Sequence, residues 1–153
     1  MPLEILDENL WAIQADTRVI TVNMVGAMGA GVARTARNTI PGLYKHYRKM
    51  ITQIEPTQFI TYQHDGIRYL LIPTKLDWRD PSPRGLVVHN FCKLVVLANR
   101  HRLGTIVLPP MGCGNGQLDW ENDIQYLYKS LLPYQETKFI AALGDMRSRN
   151  GRS

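Results

Sequence analysis

The sequence predicts an α/β fold with a mixed β-sheet held between helical layers. Three observations lead there. Short apolar, β-branched runs alternate with helix-compatible segments along the whole chain. One pair of runs flanks Asp65-Gly66, a hairpin signature, so an otherwise crossover-connected sheet contains an antiparallel pair. With 153 residues, 44% of them hydrophobic, the chain can bury one sizeable core as a single domain.

The elements follow in order. Leu3 to Leu6 is a short apolar opening and reads as an edge or first strand. Val19 to Asn23 is rich in β-branched residues and reads as a buried strand. The stretch AGVARTARNTI from Ala30 is compatible with a helix, which Pro41-Gly42 breaks. Leu43 to Met50 is a second short helix, with Tyr44, Tyr47 and Met50 spaced to pack on the core. Phe59 to Tyr62 and Arg68 to Ile72 are the two hairpin strands. Pro73 is expected to end the second strand, and the loop to Pro83 offers Ser82 as a helix N-cap. Leu86 to Ala98 is apolar nearly all round, so that helix should be well covered, with Cys92 in the core. Thr105 to Leu108 is a short buried strand. Leu118 to Leu132 reads as one amphipathic helix entered through Asp119, with Trp120, Ile124, Leu127, Tyr128 and Leu131 on its apolar side. Phe139 to Leu143 is the last strand. One domain covers residues 1–144, and 145–153 form a basic tail.

Composition bounds the function. No segment approaches the apolar length of a membrane span, and the N-terminus lacks a signal-peptide pattern. No membrane partner is expected, and a cytoplasmic location is. Two cysteines without metal-like spacing argue against a zinc site or a disulfide framework; neither a metal nor a cofactor is expected. The formal net charge is +5, from 18 Lys and Arg against 13 Asp and Glu. Clusters at residues 45–49, 100–102 and 147–152 leave two readings of equal weight: an anionic partner, or solvated helix faces with a basic tail.

Two glycine-rich loops carry the chemistry. Asn23-Met24-Val25-Gly26-Ala27-Met28-Gly29-Ala30-Gly31 follows one buried strand. Pro110-Met111-Gly112-Cys113-Gly114-Asn115-Gly116 follows another. Glycine at that density is conformationally costly and adds nothing to a core. Ligands of α/β sheets bind at the carboxyl ends of strands, and exposed loop amides at helix starts favour phosphate. Two facing loops would make a slot for a diphosphate. Neither matches a P-loop or a dinucleotide fingerprint, so nucleoside triphosphate hydrolysis is not expected. Cys113 reads either as a nucleophile or as a small residue in a tight loop; the second is better supported, since no histidine lies near it.

The segments VNMVGAMGAGVAR, IPTKLDWR and LPPMGCGNGQLDW, in that order, resemble the macrodomain family of ADP-ribose binders. The likeness is to its DNA ADP-ribosyl glycohydrolase (DarG-type) branch, and the MGAG loop is shared with the terminal ADP-ribose protein glycohydrolase branch. It runs from Ile5 to about Leu143. It implies a three-layer αβα sandwich with an ADP-ribose cleft. Asn23 would lie near the distal ribose, where it is a candidate catalytic residue. Met28, Gly29, Ala30, Gly31 and Val32 would wrap the diphosphate. Gly112, Cys113, Gly114, Asn115 and Gly116 would hold it from the other side. The family's catalytic lysine falls on Lys75, and its adenine-binding aspartate on Asp7, although the glycine that normally precedes that aspartate is Leu6 here. The aspartate that assists the lysine in the protein glycohydrolase branch is replaced by Gly116. Asp119 lies close by but makes a good helix N-cap.

The lysine also has a chemical rationale. An amine at a strand end beside a pocket can lose its proton more easily than one in water. It can then attack an anomeric carbon or form a Schiff base with the opened sugar. The alternative is a plain surface lysine after a strand, and the flanking glycine loops favour catalysis over it. Trp78 and Arg79, just beyond, could stack a nucleobase and contact a phosphate, or the tryptophan could pack on its own domain.

The reading is therefore an ADP-ribosyl glycohydrolase that removes ADP-ribose from a modified nucleobase in DNA. The alternatives are a hydrolase of ADP-ribosylated protein carboxylates, of acylated ADP-ribose or of ADP-ribose 1''-phosphate, and a non-enzymatic ADP-ribose reader. Expected partners are ADP-ribose or an ADP-ribosylated substrate, with single-stranded DNA and a toxin left open, on a monomer.

Overall fold

The computed structural model describes residues 2–144; the basic tail assigned to 145–153 lies outside them. Six strands form one sheet: β1 (Leu3–Leu6), β2 (Thr17–Asn23), β3 (Ile60–His64), β4 (Ile67–Lys75), β5 (Ile106–Leu108) and β6 (Phe139–Ala142). Their order is β1-β6-β5-β2-β4-β3. All neighbours are parallel except β3 with β4. Asp65 and Gly66 join that antiparallel pair, with φ of 49° and 76°, the left-handed pair that a two-residue hairpin turn requires.

Four α-helices cover the sheet: α1 (Gly31–Thr39), α2 (Leu43–Ile51), α3 (Arg84–Arg100) and α4 (Gln125–Leu131). Strand side chains alternate between two cores. Val19, Leu70, Ile72, Ile106, Leu108 and Phe139 pack with Phe91 and Leu94 of α3 and Tyr128 of α4. Ile20, Leu71, Val107 and Ile140 pack with Ala36 of α1 and with Leu43 and Tyr47 of α2. The result is a three-layer αβα sandwich. No helix among the described residues is long and apolar enough to cross a membrane.

Four expectations need correction. β4 does not stop before Pro73 but runs through it to Lys75. The Pro73 carbonyl accepts from Asn90 Nδ2, which also reaches the Pro56 carbonyl ahead of β3. The side on which Pro73 lacks an N–H is thus the side β3 has already left, so no ladder bond is missing. Ser82 does not cap α3; Pro83 holds the cap position, with no side-chain hydrogen bond. Cys92 is exposed. The buried residues of α3, Val87, Asn90, Phe91, Leu94, Val95 and Ala98, form a stripe that leaves Cys92 on the outer face, and Val96 is exposed too. The helix is covered on one side only. Finally, the expected single helix over 118–132 begins as a wide π turn at Trp120–Ile124 before α4. Asp119 does cap it, accepting from the Glu121 N–H at 3.2 Å.

Candidate functional site

β2, β4 and β5 are parallel neighbours, so the three segments that leave their carboxyl ends converge. They enclose a cavity of about 710 Å³. Its wall holds Asn23, Gly29, Ala30, Gly31 and Val32 from the first loop, Lys75, Trp78, Arg79 and Ser82 from the second segment, and residues 112–117 from the third. Among the described residues two cations line it, Lys75 and Arg79, and no carboxylate does. Such a cavity favours an anion.

Most of the expected site residues therefore come together. Two do not reach the wall. Met28 has its side chain buried in the core beneath the loop. Asp7 is exposed at the carboxyl end of β1, which β6 and β5 separate from β2.

Lys75 and Asn23 are paired across β4 and β2, beside a register shift at the end of the ladder. The Met24 N–H donates to the Lys75 carbonyl at 3.1 Å, fastening the first loop to the lysine's own backbone. Lys75 Nζ donates to the Trp78 carbonyl at 3.1 Å. Asp77 accepts from Arg79 N–H and Nε–H at 3.0 Å each and from Nη2 at 2.7 Å. These bonds hold the Asp77 carboxyl down at about 2. The turn carrying Lys75 is thus closed by its own side chains.

Asn23 organises the first loop. Its Oδ1 accepts from the Val25 and Ala27 N–H groups at 3.1 and 3.2 Å, and its Nδ2 donates to the Ala27 carbonyl at 2.8 Å. Tyr47 of α2 donates from its hydroxyl to the Asn23 carbonyl (2.6 Å) and lies 2.9 Å from Oδ1. Burial pushes that hydroxyl well above the usual tyrosine range.

A second tyrosine braces the other loop. Tyr128 Oη donates to the Pro109 carbonyl at 2.5 Å and accepts from the Met111 N–H at 3.0 Å. Its ring stacks on Phe91 at 4.9 Å and meets Trp120 edge-on at 4.8 Å. Neither brace is legible in the sequence beyond the choice of tyrosine over phenylalanine at a buried helical position.

The second loop is packed from below. A Cβ on Gly112 would lie 2.7 Å from Leu118 Cδ1 and 2.9 Å from Val87 Cγ2, and one on Gly116 would collide with Ser82 Oγ. Ser82 N–H donates to the Gly116 carbonyl at 2.9 Å. Its hydroxyl is buried on the cavity wall without a partner. Cys113 is half-buried on the same wall. Burial, then Asp119 and Asp123, push its thiol up to about 12, which removes the thiolate a nucleophile needs near neutral pH. Asp119 makes its cap contacts outside the wall.

No family model matches the chain, but individual proteins do. The DNA ADP-ribosyl glycohydrolase of Mycobacterium tuberculosis is 32% identical over 149 residues, which cover 91% of this chain and 42% of that protein. The DNA ADP-ribosyl glycohydrolase of Thermus aquaticus is 34% identical over 129 residues, covering 80% of this chain and 36% of that protein. The chain thus spans well under half the length of the curated relatives it matches. Among solved structures, the macrodomain of Mycobacterium tuberculosis DarG superimposes with a TM-score of 0.82 at 25% identity, over 92% of this chain and 97% of that one.

Proposed function

The chain belongs to the macrodomain family and resembles, within it, the macrodomains of DNA ADP-ribosyl glycohydrolases; from that premise we propose that it binds ADP-ribose and removes it from a modified nucleobase in DNA. One observation carries the reading: a cavity walled by two glycine-rich loops, with Lys75 and Arg79 as its charged side chains. The backbone amides of the two loops suit a diphosphate. Residues 29–32 and 112–116 hold it in this account. Asp7 stands at the same end of the sheet, where an extended nucleotide crossing β5 and β6 would meet it.

Lys75 is the key catalytic residue in this proposal. Its amine, once it has given up its proton, donates a lone pair to the anomeric carbon of the distal ribose. The base leaves with the glycosidic electron pair and takes up a proton. The lysine adduct opens to a Schiff base, and water then frees ADP-ribose and restores the amine. Asn23 acts by shaping the loop that holds the ribose next to Lys75. The partner this reading implies is a toxin that transfers ADP-ribose to DNA, as the transferase half of the related Thermosipho africanus fusion protein is named for doing.

The experiment supplies ADP-ribosylated DNA, ADP-ribosylated protein and ADP-ribose 1''-phosphate in parallel and follows release of ADP-ribose or phosphate. Release from DNA is expected. Faster release from protein or from the phosphate would reassign the acceptor. Binding of ADP-ribose with no release from any of them would make the chain a reader.

A further inference from the structure

We infer that the indole of Trp78 is the platform on which the nucleobase carrying the ADP-ribose stacks. The inference rests on the function proposed above and names how its acceptor is recognised.

Sequence alone left this residue between two roles, packing on its own domain or meeting a base. The structure decides against packing: Trp78 is 58% exposed, whereas Trp120 is buried at 4%. A large apolar side chain facing water gains nothing for the fold. It also forms part of the cavity wall, so it stands at the mouth of the cleft.

The turn behind it is built. Arg79 is clamped on Asp77 through its N–H, Nε and Nη2. The Trp78 carbonyl takes the hydrogen bond from Lys75 Nζ. The indole and the amine therefore project from one braced turn, and a base resting on the indole presents its glycosidic bond toward the amine. The Arg79 guanidinium lies 5.8 Å from the centre of the Trp78 ring. That cation lies over one face of the indole, so the base would stack on the other. An aromatic face with an adjacent cation is the pairing that holds unpaired bases. A protein carboxylate has no π face and would gain nothing from it. Every base has one, so recognition through Trp78 tolerates any base.

The test compares free ADP-ribose, an unmodified single-stranded oligonucleotide and the same oligonucleotide carrying ADP-ribose, on the wild-type indole, Trp78→Ala and Trp78→Phe, each in a Lys75→Ala background so that the modified oligonucleotide is not cleaved while it binds. The protein with the wild-type indole should bind the modified oligonucleotide more tightly than free ADP-ribose. Trp78→Ala should weaken the modified oligonucleotide about tenfold and leave free ADP-ribose within twofold. Trp78→Phe should recover most of the loss. Tryptophan emission should be quenched by the modified oligonucleotide with the wild-type indole and not in Trp78→Phe. Equal loss for both ligands in Trp78→Ala, or no loss for either, would overturn the inference. So would a protein with the wild-type indole that binds ADP-ribose but gains nothing from the attached base, and that result leaves the proposed ADP-ribose site standing. One that binds neither ligand overturns both.

Discussion

The two glycine loops look alike in sequence and are held in opposite ways. In the first, backbone polar groups are tied from above by one side chain, Asn23, with Tyr47 behind it. A Cβ on Gly29 would meet nothing within 4 Å. In the second, the backbone bonds to itself, Leu118 N–H to the Gly112 carbonyl and Gln117 N–H to the Gly114 carbonyl, both at 3.0 Å. Val87, Leu118 and Ser82 fill the space under its glycines. Bare backbone therefore has two causes here. Gly29 is small on the side where a ligand would lie, whereas Gly112 and Gly116 are small because the protein itself presses on them. Reading both loops simply as binding surface merges a ligand constraint with a packing constraint.

Valine at each glycine breaks the comparison most sharply. Gly112→Val adds a clash at a position with φ of 79°. It should cost about 3 kcal/mol and lower the melting temperature by roughly 10 °C. Gly29→Val should leave the melting temperature within about 2 °C, because it adds atoms to open space. On the function proposed above it should still weaken ADP-ribose binding at least about tenfold by calorimetry. If the two variants melt alike, the distinction between the loops fails.

The tyrosine braces give the next effect. Tyr128→Phe strips a partner from both the Pro109 carbonyl and the Met111 N–H in a fully buried setting. A loss of about 2 kcal/mol is expected in urea unfolding. Tyr47→Phe should lose about 1 kcal/mol, because Asn23 keeps its bonds to the loop backbone. A larger loss from Tyr47→Phe would mean that the first loop, and not the second, is anchored to the core. The smallest effect belongs to Ser82→Ala. The residue is 5% exposed and its buried hydroxyl is without a partner, so removal should be neutral or stabilising by up to about 1 kcal/mol. Clear destabilisation would show that the hydroxyl is already satisfied in the folded protein.

What sequence could reveal divides along the same line. The alternation of β2, β4, β5 and β6 between two cores follows from local apolar runs, and so does the cavity's place beyond β2, β4 and β5. Asp65-Gly66 announced its hairpin, and Asp119 its cap. Local patterns failed where a distant partner decides. Pro73 stays in β4 because β3 begins only at Ile60, opposite Leu71. Cys92 is exposed because only one face of α3 meets the sheet. Ser82 faces Gly116, more than thirty positions away by the numbering, instead of capping the next helix. The braces from Tyr47 to Asn23 and from Tyr128 to Pro109 span 24 and 19 residues, beyond the reach of any local pattern. The π turn at Trp120 has the same apolar spacing a plain helix would show.

The central claim is that Lys75 performs the chemistry while the loops hold the ligand. Lys75→Ala tests it most directly, through release of ADP-ribose from a modified oligonucleotide alongside calorimetric binding of free ADP-ribose. Binding should stay within about tenfold, about 1.4 kcal/mol, because the amine acts chiefly in the transition state. Release should fall by orders of magnitude. Equal release by wild type and variant would contradict the account and remove Lys75 from the mechanism.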